Sequence, residues 1–414
     1  MTTTEIPALD RWGEFDRDNP FPLFAHVQAA GPVHAIRLAD GHRAFLVVGY
    51  EEARVALHHP DLSKDMHRAL EQEGAVVAEG LPGRDFARHM LSVDPPDHTR
   101  LRSLAAGAFT RTRLAALEPA IHRAVGALLG ALTPDADGVV DLVAGFAAPL
   151  PFTVIGDLLG LPETEQVRLA GWFATLLAPH PGSEPPPAAV AASDNIVQAL
   201  HDLVDRRWDS PPAEDLLGDL VRACREQQLT RQELLSTVFQ LIVAGHHTTT
   251  SLIGNGVVAL LTHPEQRDVL LADLTLVPRA VEEFMRWDAP VPHSTFRYAV
   301  RDVSVGDVVI PAGTQVIVSL AAAGRDPARY PNPDTLDVTR TDNGHLAFGH
   351  GVHHCLGARL ARLEGVIAFT ALLHRFPSMQ LAVPRSELRW DHGDGLVLRG
   401  LTGLPVRLNE RTGT

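Results

Sequence analysis

The sequence predicts a mainly α protein with small β sheets. That expectation rests on the spacing of its apolar residues, on the placement of its short strand-like runs, and on one very long helix. Apolar residues recur near a 3.6-residue spacing over Pro95 to Leu117, Glu118 to Leu132, Glu163 to Leu177, Ala188 to Trp208, Arg231 to Leu261 and Arg359 to Phe376. Strand-like runs are short and fall toward the two ends: Val33 to Ile36, Ala44 to Val48, Val308 to Ile310, Thr314 to Ser319 and Leu396 to Leu408. Turn signals such as Pro311-Ala312-Gly313 part several of them. The helix from Arg231 runs about 31 residues, or about 46 Å at roughly 1.5 Å each, enough to cross a whole domain.

Element boundaries are legible in places. Thr230 with Glu233 reads as a capping box for the long helix, and Thr262 with Glu265, around Pro264, as a second box starting the next helix. Pro179 to Pro187 must break the helices on either side, which makes it a surface loop or a lid. There is no internal repeat and no low-complexity tail.

Composition narrows the function. The 414 residues are 45% hydrophobic, enough for a large core. The opening MTTTEIPALDRWGEF has an acid and a proline where an export signal needs a basic start and an unbroken apolar stretch. Leu234 to Leu261 is interrupted by Gln240, His246, His247 and Asn255, which suits a buried core helix and not a membrane span. With two cysteines, Cys224 and Cys355, the chain is no disulfide scaffold, and a reducing cytoplasm fits. A formal charge of −14 argues against nucleic-acid binding.

The strongest chemical signal is Phe348-Gly-His-Gly-Val-His-His-Cys-Leu-Gly357, in the pattern F-x-x-G-x-x-x-C-x-G. A thiolate that holds iron needs backbone N–H donors near its sulfur, and glycines such as Gly349 and Gly357 let the chain turn tightly enough to supply them. A helix starting near Leu356 adds its positive end behind the sulfur. A lone cysteine is usually a small core residue; four matched positions in ten overturn that for Cys355 but not for Cys224. The segment resembles the haem-binding loop of the cytochrome P-450 superfamily, soluble bacterial type. The resemblance spans about Asp18 to Leu408 and implies a single domain over residues 1–414. It implies haem b (iron protoporphyrin IX) between the long central helix and the cysteine-loop helix, with Cys355 on the iron.

Further landmarks of that family stand in order. Glu283 and Arg286 match its E-x-x-R ion pair, about 70 residues before the cysteine. The usual third partner is an arginine where this chain has Thr335, with Arg325 or Arg340 as substitutes. The resemblance makes His98, Arg102, Arg297 and His353 partners of the haem propionates; the alternative for His98 and Arg102 is a solvated basic face. Ala244-Gly245-His246-His247-Thr248-Thr249 resembles the oxygen-activation motif A-G-x-[DE]-T-T. Gly245 costs a helix interior roughly 1 kcal/mol relative to Ala, which suggests something flat against the backbone. Thr248 can hydrogen-bond the Ala244 carbonyl and open the helix locally. His247 replaces the family's acid; it is either a proton relay or an inert packing choice.

The implied activity is a monooxygenase: one atom of O2 enters a bulky apolar substrate by hydroxylation or epoxidation, and the other leaves as water. The family's walls map to Leu241, Ala244, Thr248, Val291, His293, Leu396 and Val397, mostly apolar, which suits a polyketide, macrolide or steroid-like natural product. Electrons come from NAD(P)H through ferredoxin and ferredoxin reductase. Arg100, Arg102, Arg111, Arg113, Arg359 and Arg362 stand in two stretches free of acids that the resemblance puts on the haem's thiolate side. That placement implies a basic patch for the ferredoxin, the alternative being propionate neutralisation and ordinary solvated faces. The expected protein is a cytoplasmic monomer without nucleic-acid or membrane partners. The rivals are a peroxide-driven oxygenase, a gas-sensing haem protein, and a haem-free accessory protein of the same fold.

Overall fold

The computed structural model describes residues 12, 15–38, 41–65, 86, 88–176, 185–211, 213–391 and 397–408. Two compact units arise from them: one takes the chain before residue 78 with Thr262–Cys355 and Arg389–Arg399, and the other takes most of the rest. The expected Pro179 to Pro187 loop lies largely outside the described residues.

The first unit is built on a five-stranded sheet. Val33–Arg37 pairs antiparallel with Arg43–Val47, which runs parallel to Gln315–Val318; Arg297–Ala299 and then Leu62–Ser63 add antiparallel strands. Alternate side chains leave on opposite faces, and both faces are covered. Val47, Val316 and Val318 pack with Tyr50, Leu57 and Tyr330. Leu46 and Ile317 pack on the other side with Phe24, Val27 and Trp12.

The second unit is helical. Its long helix, Arg231–Thr262, has every residue from Ser251 to Leu260 buried, as expected of a buried core helix. The first capping box forms: Thr230 Oγ1 accepts from the Glu233 amide at 3.1 Å, and Glu233 Oε2 accepts from the Thr230 amide at 2.8 Å. The second does not. Thr262 is still inside the long helix, and the next helix, Pro264–Ala272, starts from His263 with no side-chain cap bond.

Other boundaries also move. The pattern over Pro95 to Leu117 breaks at a 3-10 turn, Gly107–Phe109, between helices Asp97–Ala106 and Arg111–Ala131. The second of these runs through Pro119, where the expected break at Glu118 is absent. The C-terminal run from Leu396 becomes two short strands, Gly400–Leu401 and Pro405–Arg407. Pro405–Arg407 lies between Val139–Asp141 and Gln380–Leu381 in a three-stranded sheet.

Candidate active site

In the first unit the cysteine loop is shaped by two left-handed glycines, Gly349 at φ +73° and Gly351 at φ +75°. Gly351 also has no room for a side chain, since a Cβ there would lie 2.9 Å from His58 Nδ1 and 3.2 Å from the Leu57 carbonyl. The Cys355 amide donates to the Phe348 carbonyl at 2.8 Å, closing the loop. Phe348 is buried, His353 half-buried and Cys355 exposed. Cys224 is half-buried, and burial pushes its thiol upward, as suits a structural cysteine.

The E-x-x-R pair sits behind this loop on helix Val277–Trp287, with both side chains fully buried. Arg286 makes a two-pronged bond to Glu283, 2.8 Å from each guanidinium nitrogen, and also donates to the carbonyls of Gly324, Pro333 and Thr335. The third partner is Arg340, whose Nε lies 3.2 Å from Glu283 Oε2. Thr335 contributes only its carbonyl. Arg325 instead stacks on Phe21 and Trp287 and pairs with Asp334 at 3.1 Å.

Arg297 is buried in the sheet and donates to the Leu62 carbonyl at 3.3 Å. Of the expected substrate walls in this unit, Val291 is partly buried against the sheet's core and Val397 is half-buried, while Leu396 lies outside the described residues. His293 is not a wall residue. It is 1% exposed, packed edge-on to Trp12 and Phe24, and burial lowers its pKa to about 3.

In the second unit, the long helix carries the expected oxygen-activation segment. The Thr248 hydroxyl donates to the Ala244 carbonyl at 2.7 Å, and Thr250 and Ser251 do the same to His246 and His247 at 3.0 and 2.8 Å. The helix nevertheless remains unbroken from Arg231 to Thr262, so the expected local opening is not present. Ala244 is exposed and Gln240, Val243, His247 and Thr248 are half-buried, so these five define the open face; Leu241, at its edge, is buried. Gln240 and Val243 were not predicted. Their signal is the helical spacing from Ala244 and Thr248.

Gly245 serves packing. A Cβ there would meet Ile155 of helix Pro149–Leu159 at 3.4 Å, so its close neighbour is a second helix. His246 is buried, donates through Nε2 to the Ala148 carbonyl at 3.1 Å, and stands edge-on to Phe152 and to His247. Burial, reinforced by His247, lowers its pKa to about 3. It stays neutral.

His98 and Arg102 share one side of helix Asp97–Ala106. His98 is buried, and burial first, then Arg102, hold its imidazole below the ordinary range. The predicted basic patch is only partly free: Arg100 binds Glu233 at 2.6 Å and Asp97 at 3.0 Å, and Arg113 binds Asp219 at 3.0 Å. The acid-free sequence did not reveal partners contributed from other helices. Arg111 and Arg359 remain exposed.

The donor set fits haem b. Among the described residues no three His, Cys, Asp or Glu are grouped to hold a metal. Gly357, two residues on, has φ −82°, and a Cβ there would meet nothing closer than the Phe109 ring at 3.8 Å. The protein's own packing therefore leaves room at that position. His98 and Arg297 are buried nitrogen donors of the kind two buried carboxylates require. Among the described residues no helix is long and apolar enough to cross a membrane.

Comparison with known proteins points the same way. The cytochrome P450 family model matches residues 188–399. The chain is 42% identical to the cytochrome P450 monooxygenase PikC of Streptomyces venezuelae over 98% of its own length and 95% of that protein's. It is 39% identical to the vitamin D(3) 25-hydroxylase of Pseudonocardia autotrophica, covering 100% of this chain and 99% of that one. The solved structure of the tirandamycin C-bound P450 monooxygenase TamI superposes with a TM-score of 0.85 at 42% identity, covering 94% of this chain and 98% of that one.

Proposed function

Because the chain belongs to the cytochrome P450 family, we propose that Cys355 is the iron ligand of its haem b and that residues 1–414 work as one catalytic domain. The protein is a P450 monooxygenase, an oxidoreductase with haem b as its cofactor. Haem, when bound, supplies the iron at which O2 is reduced, one oxygen atom passing to substrate and the other to water. The observation that carries the ligand assignment is the loop itself: Cys355 stands exposed, held by Phe348, just before the N-terminus of helix Ala358–Arg375.

The other residues take roles around that centre. His98, Arg102, Arg297 and His353 hold the two haem carboxylates. Thr248 has its hydroxyl hydrogen engaged by Ala244, which leaves its oxygen lone pairs to accept. His247, one residue before it, relays protons from solvent, a task an imidazole can perform by taking a proton at one ring nitrogen and releasing one from the other. His247→Gln should lower the fraction of electrons that end in product, and an unchanged fraction would remove the relay role.

The substrate is a bulky lipophilic natural product of polyketide, macrolide or steroid-like type, hydroxylated or epoxidised. It lies against Ala244, Val243 and Gln240 of the open helix face. Support comes from relatives named for vitamin D(3) and tirandamycin C. Electrons arrive from NAD(P)H through ferredoxin reductase and a ferredoxin that docks near Arg111 and Arg359. The protein acts as a cytoplasmic monomer. His247, standing where the family carries an acid, favours one second reading, oxidation driven by peroxide. The test is turnover of substrates first selected by spin-state shift, with vitamin D(3) and tirandamycin C as initial probes. NADPH, reductase and ferredoxin should support it far better than peroxide alone; equal rates favour the second reading.

A further inference from the structure

His345 lies three residues before Phe348, at the start of the cysteine loop, and has no role in the assignments above. Its side chain is only 2% exposed. The amide of Ala347 donates to its Nδ1 at 3.2 Å. Nδ1 is therefore an acceptor and the ring hydrogen sits on Nε2, which faces Glu282 Oε2 at 3.2 Å. The ring also packs against Phe348, with centroids 5.7 Å apart. Phe348 in turn accepts the Cys355 amide through its carbonyl.

Glu282 is the residue before Glu283, on the helix that carries the buried ion pair. One neutral imidazole thus ties a rigid helix to the backbone that turns toward the cysteine. Its two nitrogens fasten two different elements, and neither bond needs the ring to be charged.

We propose that Glu282 and His345 are a positioning pair that fixes the start of the cysteine loop and, through Phe348, the geometry at which Cys355 presents its sulfur. The pair acts through Phe348 and the Cys355 amide. The proposal rests on Cys355 being the iron ligand. Loss of the pair lets the loop shift, so that a reduced iron more readily exchanges the thiolate for a neutral ligand.

The test uses the haem-loaded full chain and the reduced, carbon monoxide difference spectrum, followed over hours well below each variant's unfolding midpoint. Glu282→Ala and His345→Ala should each move a growing fraction of the band from the thiolate to the neutral-ligand position. Glu282→Gln should hold the thiolate band, because an amide oxygen still accepts from Nε2. Hydrogen exchange at the Ala347 amide should be about fivefold faster in His345→Ala, as one bond is lost. Should His345→Ala fail to load haem, His345→Asn replaces it: its Oδ1 can accept from Ala347 but not reach Glu282, so the band should still drift. Thiolate bands as stable as wild type in Glu282→Ala and the histidine variant would overturn the proposal, as would Glu282→Gln drifting as fast as Glu282→Ala. A wild-type band in Cys355→Ser would instead remove the ligand assignment beneath it.

Discussion

Around Glu283 the charged groups are buried and matched, whereas in the middle of the long helix three hydroxyls fold back onto carbonyls of their own helix and Ala244 stays exposed. Glu283 accepts from Arg286, from Arg340 and from the Asp337 amide at 2.9 Å, while Arg286 is saturated by carbonyls. In the stretch from Ala244 to Ser251 each of these hydroxyls is bonded only within its own helix, and the nearest buried histidine, His246, is kept neutral. The first arrangement holds a loop in place; the second places hydroxyl groups along a partly open helix face. Buried ionic networks are costly to break on one side only, whereas back-bonded hydroxyls contribute little to stability.

That contrast can be broken experimentally, most visibly at Arg286. Arg286→Ala leaves the buried Glu283 carboxylate with only Arg340 and the Asp337 amide and strips donors from three carbonyls. It should cost about 3–5 kcal/mol in denaturant unfolding, provided the variant folds. Acid should act next. His246 and His293 have folded pKa values of about 3 against an ordinary 6.5, so the unfolded chain takes up protons that the folded one refuses. Stability should therefore fall as pH drops from 6.5 toward 3, by ~1.4 kcal/mol per pH unit for each histidine. Measured between pH 6.5 and 5, His246→Phe should show a slope smaller by about one proton. Arg340→Ala should cost ~1–3 kcal/mol, while Thr335→Ala, which keeps its carbonyl, should stay within about 0.5.

The long helix should respond in the other sense. Thr248→Val should change stability by less than about 1 kcal/mol yet lower the coupling of electron use to product on the order of tenfold or more. Gly245→Ala should be nearly neutral: a gain of about 1 kcal/mol in helix propensity is offset by contact with Ile155. A large stability loss at Thr248 would mean that this stretch is as tightly built as the Glu283 cluster.

Local signals were legible and long-range partners were not. The spacing of apolar residues, the Thr230 capping box and the glycine-rich cysteine loop are written in contiguous sequence, and all three appear in the structure. Choosing Arg340 over Arg325 required knowing how the segment from Pro331 folds back on Glu283. His293 read as a wall residue because its distant cage, Trp12 and Phe24, lies more than 260 residues away in the chain. Arg100 read as free for the same reason, its acid Glu233 coming from another helix. The missing break at Pro119 has a local cause: a proline removes one backbone donor, and the 21-residue helix Arg111–Ala131 continues through that loss.

The central claim is that Cys355 holds the haem iron as a thiolate, and the reduced carbon monoxide difference spectrum of wild type beside Cys355→Ser tests it most directly. The account predicts a strongly red-shifted Soret band in wild type that is lost or moved to a neutral-ligand position in the variant. The same red-shifted band in Cys355→Ser, or a neutral-ligand band in intact wild type, would contradict it.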